Sequence, residues 1–263
     1  MWVTARAAVP NFTIGNSDIM RFDRPMTRHP SALVALACLV AGCSTTVGGA
    51  AMTAPTPPLV GAESLDAALL PATEVGAALG DDDLVVTREV DSPWDDGASF
   101  AARSVDEPGV ARLDCLAIVG AAQRDVYADA GWTDLRGQIL REPPNAPEWS
   151  HFAVQAVVLF PTAEAAADFY ATARRSWAGC AQRQLAYAQQ LAPDQVWSVG
   201  PVSTDNDVLT VSRSQRGPQR WWCQRALRVH SNVAADVEAC SLDRPTAAAA
   251  AIAHAIGDRL PAP

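Results

Sequence analysis

The sequence predicts an α+β domain built on antiparallel strands, and three observations carry that expectation. Short apolar runs alternate with turn residues, most densely where Trp222–Val229 and Val233–Cys240 read as a hairpin. Stretches of helical spacing stand between strands in mixed order, not gathered at one end. Once the N-terminal leader is set aside, Cys115, Cys180, Cys223 and Cys240 remain, an even set that in an exported chain reads as two disulfides with three pairings open.

The leader comes first. Arg21, Arg24 and Arg28 precede the apolar run Ala32–Val40, which closes on Val40-Ala41-Gly42-Cys43. A basic start, a short apolar core and small residues before a cut describe a secretory signal. A cysteine directly after the cut is the bacterial lipobox pattern, in which that thiol takes lipid such as palmitate. The expectation is a signal peptide over residues 1–42, lipidation at Cys43, a lipid-anchored flexible tether over 43–61 and a domain over 62–263. Asn11–Asp18 is polar and precedes the basic region, so Met20 or Met26 is the better start and residues 1–19 lie upstream of it. The apolar run is too short to stay as a spanning helix. The expected location is the cell membrane, on its extracytoplasmic side. One acyl chain holds a protein only marginally, so stable anchoring calls for more than one.

The tether is Ser, Thr, Gly, Ala and Pro with little else. Pro71–Leu79 reads as a short helix ended by Gly80, and Leu84–Val90 as a strand. Residues 91–110 are loop-like. Leu113–Ala122 reads as a helix carrying Cys115. Trp132–Leu140 alternates as a half-buried strand: Leu135, Gly137 and Ile139 on one side, Trp132, Asp134, Arg136 and Gln138 on the other. Glu142–Pro147 is a turn. His151–Phe160 is apolar on both faces and reads as a central strand.

Thr162 then caps a helix whose buried stripe is Ala166, Phe169, Tyr170, Ala173, Trp177 and Cys180. Strands resume at Gln195–Val202 and Val208–Arg213, followed by the hairpin. Thr246 caps a last helix with the stripe Ile252, Ile256 and Leu260. If Ser231-Asn232 is a two-residue hairpin loop, Cys223 lies opposite Cys240 and Arg225 opposite Glu238. Ser-Asn is a poor turn signal, and a longer loop with a bulge also serves.

The chain carries a net charge of −9. Residues 1–42 hold four Arg and two Asp, so −9 becomes −11 for the remainder. Such a surface disfavours nucleic acid as a partner. All 20 basic residues are Arg, which removes P-loop, protein-kinase and Schiff-base chemistry in their usual lysine-dependent forms.

Several motifs occur in order: Val126-Tyr127-Ala128, Gly131-Trp132, Arg136-Gly137-Gln138, Phe152 to Val157, Trp177-Ala178-Gly179-Cys180, Trp222 to Leu227, and Asn232-Val233 through Cys240. Together they resemble the PknH-type extracellular sensor domain of mycobacteria and their relatives, over roughly residues 62–263. In that family the domain forms the outer part of a receptor kinase and also occurs alone in lipoproteins. The resemblance implies an antiparallel β-sheet flanked by helices, a cleft proposed to bind a ligand, and disulfides between sequential cysteines, Cys115–Cys180 and Cys223–Cys240.

For function, the sequence expects no enzyme. It has no G-x-S-x-G elbow, no HExxH and no His cluster among His151, His230 and His254, so no metal site and no cofactor are expected. Asp81-Asp82-Asp83 and Asp95-Asp96 read as solvated turns. Trp94, Trp149, Trp197, Trp221 and Trp222 fall near loops or strand ends, where rings line grooves but more commonly pack. The polar face of Trp132–Gln138 looks into a cleft beside His151 and Gln155, or else is a solvated sheet face. The expected activity is non-enzymatic binding of a small or lipid-like envelope ligand, or of an envelope protein. Trp132, Arg136 and Gln155 are the expected wall. The alternative is a scaffolding lipoprotein that acts through protein contacts.

Overall fold

The computed structural model describes residues 58–81, 83–95, 102–104, 115–146, 149–187, 195–217, 220–242 and 245–261. The signal peptide, Cys43 and most of the tether lie outside them. In chain order the elements are α1 (Leu65–Ala68), α2 (Ala72–Leu79), β1 (Val85–Val90), β2 (Ala102–Ser104), α3 (Leu116–Val119), α4 (Arg124–Tyr127), β3 (Asp134–Arg141), β4 (His151–Leu159), α5 (Ala163–Cys180), β5 (Gln184–Tyr187), β6 (Gln195–Asp205), β7 (Val208–Gln215), β8 (Trp221–His230), β9 (Val233–Leu242) and α6 (Ala248–Arg259). The strands form one antiparallel sheet of nine in the order β1-β3-β4-β9-β8-β7-β6-β5-β2.

The sheet is covered on both faces, which accounts for the two apolar faces of β4. Leu140, Ala153, Val157 and Val237 point into a core closed by α1, α2 and α6, with Leu65, Val75, Ile252 and Ile256. Leu135, Val154, Val158, Leu209 and Leu227 point the other way, into a core closed by α3, α4 and α5. Trp177 of the α5 stripe is 1% exposed in that second core.

Local chemistry sets the ends. Thr162 Oγ1 accepts the Ala165 N–H at 3.1 Å and starts α5. Gly80, at φ 79°, ends α2: its N–H donates to Ala77, and the Asp81 N–H donates to the Gly76 carbonyl. Thr246 Oγ1 accepts from the Ala248 N–H at the start of α6.

The hairpin closes with His230 opposite Val233, so Cys223 faces Cys240 and Arg225 faces Glu238. Counting outward from the loop, hydrogen-bonded and open pairs alternate, and position 223 falls on an open pair, where the side chains are nearer. Both disulfides form, Cys223–Cys240 with a Cα separation of 4.0 Å and Cys115–Cys180 with 5.6 Å. Ser231 takes φ 52°, and Asn232 is buried for a tertiary reason. Its side chain accepts from the Val60 N–H and donates to the carbonyls of Val60 and Phe160. The Ser231 hydroxyl donates to the Pro58 carbonyl at 3.3 Å, so among the described residues fixed contacts begin at Pro58, within the span assigned to the tether.

Some elements depart from expectation. Within the loop-like 91–110, β2 pairs with β5, a strand not anticipated, and Trp94 is buried. Of the helix expected over Leu113–Ala122, residues 113–114 lie outside the described residues; in the rest the helix spans Leu116–Val119 and ends there because Gly120 is extended and Ala122 takes φ 50°. The Ala122 N–H turns out of the helical ladder to donate to Asp236.

Candidate functional site

The fold separates the three residues expected to form one wall. Arg136 and Gln155 share the α1/α2/α6 face of the sheet, whereas Trp132 packs against the core on the opposite face. Trp132 precedes β3, so strand alternation does not fix its side, and the expected common face fails for it. Gln155 is 0% exposed and serves as a clamp. Its Oε1 accepts the Leu70 N–H at 2.9 Å, while Nε2 donates to the Leu70 carbonyl at 2.7 Å and to Gln138 at 2.9 Å. With these contacts made, it holds the α1–α2 connection to β4 and presents nothing to a ligand. Arg136 does line a hollow of about 450 Å³, with Asp66, Glu89, Asp91 and Gln138. Its guanidinium already pairs with Asp134 and approaches Asp66 at 3.5 Å.

A second hollow, of about 530 Å³, lies on the other face between α4 and α5. Val126, Ala130, Phe169 and Ala173 give it an apolar floor, and Asp125, Asp129 and Asp168 stand on its rim. Phe169 belongs to the helical stripe read as buried, but it is only half-buried, because its outer side faces this groove. Its ring tilts against Tyr127 at 4.7 Å and Phe160 at 5.3 Å. Sequence reasoning missed the groove, since α4 is a single turn. The signal present was Asp125 and Asp129 one helical turn apart beside Val126 and Ala130.

Buried charges fix the α3–α4 side of the groove. Asp236, 3% exposed, accepts from Arg225 at 2.6 Å, from the Ala122 N–H at 2.8 Å and from the Tyr127 hydroxyl at 3.0 Å. Arg225 also donates to the carbonyls of Ala117 and Val237 and lies over the Trp177 ring. Beside it, Arg213 pairs with Glu238 and donates to the Ile118 carbonyl. Burial, then the charge of Asp236, push the Tyr127 hydroxyl well above its ordinary 10.0, so it remains a donor. The Cys115–Cys180 disulfide joins the start of α3 to the end of α5, one side of the groove to the other.

A third constellation gathers residues far apart in sequence. His151 Nδ1 stands 2.9 Å from Asp81 Oδ2, 3.1 Å from Glu142 Oε1 and 3.0 Å from Ser150 Oγ. Glu142 Oε1 accepts from the Ser150 hydroxyl and from the N–H groups of Ser150 and His151. Burial pushes the Glu142 carboxyl up, but these hydrogen bonds outweigh it and hold the group below its ordinary value. A catalytic triad needs serine and acid on opposite ring nitrogens; here both meet Nδ1, so this is not one.

Comparison with known proteins gives a consistent result. Residues 60–259 match the family described as the PknH-like extracellular domain. The serine/threonine-protein kinase PknH of Mycobacterium tuberculosis is 33% identical over 204 residues, covering 78% of this chain and 30% of the kinase. Its counterpart in Mycobacterium bovis is 33% identical over 184 residues, 70% of this chain and 29% of that protein. The chain therefore spans less than a third of the curated kinases it matches. The crystal structure of the extracellular domain of PknH from Mycobacterium tuberculosis superposes with a TM-score of 0.68 at 31% identity, over 77% of this chain and 97% of that one.

Proposed function

Because the chain belongs to the family of PknH-like extracellular domains, we propose that it works as a membrane-anchored extracytoplasmic lipoprotein whose domain binds a ligand without transforming it. The observation that carries this reading is the groove between α4 and α5. About 530 Å³ lies within the range of small-molecule sites, and an apolar floor with a few polar groups above it is their usual composition. Three rim carboxylates favour a ligand with an apolar body and a cationic end, such as an amine-bearing lipid-like molecule.

The anchor is Cys43, read from the lipobox. Among the described residues no helix is long and apolar enough to cross a membrane. A non-enzymatic role is supported by the span of the match, which falls in the extracellular domain of a kinase. A ligand site, not a reaction centre, is what the groove offers: its floor is carbon and its rim is exposed carboxylate.

Native mass spectrometry of the chain extracted from its own envelope, without reduction, tests the reading. The expected spectrum shows an adduct of defined mass, and digestion releases an N-terminal peptide carrying acyl chains at Cys43. A chain that arrives bare at every detergent concentration overturns ligand binding and leaves the scaffolding role.

A further inference from the structure

We propose that Asp81, Glu142 and His151 form a site for a divalent transition-metal ion, of the Zn²⁺ or Mn²⁺ class, which fastens the C-terminal end of α2 to the β3–β4 connection. One nitrogen and two carboxylate oxygens lie within 4.8 Å of one another. One imidazole with two carboxylates suits such ions, since imidazole favours zinc and carboxylates favour the harder cations. The distance of 2.9 Å between His151 Nδ1 and Asp81 Oδ2 is close to the edges of about 3.0–3.4 Å that a four- to six-coordinate ion sets between its ligands.

The second observation is on Glu142. Its side chain is 6% exposed, and Oε2 is buried with no partner among the described residues, while Oε1 is fully engaged by Ser150 and His151. A buried carboxylate oxygen without a partner is costly. A cation is the partner that a carboxylate can accept without losing the donors on Oε1.

The sites are held by backbone chemistry that predates any ion. The left-handed Gly80 turn delivers Asp81, and Asp81 Oδ1 accepts the Asp83 N–H at 2.8 Å, which leaves Oδ2 on His151. Asp81 is the most open of the three at 19% and gives the ion its way in. The other group of potential ligands among the described residues, Cys223, Glu238 and Cys240, is unsuitable because both sulfurs are spent in a disulfide.

The test uses the full-length processed chain in detergent, oxidised, stripped with a chelator and equilibrated with zinc sulfate alone or manganese chloride alone. Elemental analysis is expected to find one more equivalent of ion in the natural chain than in Asp81→Asn or Glu142→Gln. Metal hundredfold above Kd is expected to raise Tm by about 5 °C or more in the natural chain and not in the variants. Equal metal content in all three, or no rise in Tm, overturns the site. Should the variants fail to fold, Co²⁺ added to the natural chain decides it. Visible d–d bands shifted or strengthened from those of the hydrated ion support the site, and the unaltered spectrum of the hydrated ion overturns it.

Discussion

Arg225 lies directly across the β8–β9 hairpin from Glu238, yet its guanidinium pairs with Asp236, two residues along, while Glu238 takes Arg213 from β7. The register is the one the cysteines imply; the charges pair diagonally because Arg225 must also reach the Ala117 carbonyl. The network thus ties the sheet to the α3–α4 side of the groove.

Removing one partner leaves the other charge buried. Arg225→Met is expected to destabilise the domain by about 3–5 kcal/mol, and the double change Arg225→Met/Asp236→Leu to cost less than Arg225→Met alone. Chemical denaturation of both variants measures this. A single variant milder than the double one would contradict the network.

Gln155 and Arg136 are expected to part company. Gln155→Ala strands the buried Leu70 N–H and carbonyl and is expected to cost about 2–4 kcal/mol, whereas Arg136→Ala, one-third exposed, costs about 1 kcal/mol or less. Thermal melts of the two variants give the comparison.

The disulfides close loops of unequal length, with sequence separations of 65 and 17. On chain-entropy grounds Cys115→Ser/Cys180→Ser is expected to cost about 4 kcal/mol against about 3 for Cys223→Ser/Cys240→Ser. The difference corresponds to a Tm lower by about 2–4 °C for the first pair. Calorimetry of both double variants would reveal the opposite order if it held.

Acid stability carries a signature of Glu142. Its folded pKa lies below the ordinary 4.5, so its contribution is present above about pH 4.5 and is lost as pH falls through the depressed folded value. Glu142→Gln is expected to flatten that part of the stability curve and leave neutral-to-alkaline slopes unchanged. Urea midpoints measured from pH 3 to 7 check it; superimposable acid limbs would count against the assignment.

Much of the fold was legible because local chemistry and tertiary demand agree. Thr162, Gly80 and the cysteine register of the hairpin each state a boundary that packing keeps. What was not legible depends on distant partners. The β2–β5 pair lacks the length for a clear period. Ala122 leaves the helical ladder for a carboxylate 114 residues away. Gln155 looked like a polar wall residue because strand alternation shows which face it is on, not that Leu70 covers that face. The same alternation groups Trp132 with Arg136 only when it is carried two residues beyond the strand's start. The α4–α5 groove and the Asp81–Glu142–His151 cluster arise only when separate segments meet.

The most direct test of the binding account compares Phe169→Asp with Arg136→Ala by native mass spectrometry after extraction from the envelope under identical conditions. A ligand in the α4–α5 groove predicts that Phe169→Asp loses the bound species while Arg136→Ala keeps it. Retention in Phe169→Asp with loss in Arg136→Ala would contradict the account and move the site to the β1–β3 hollow.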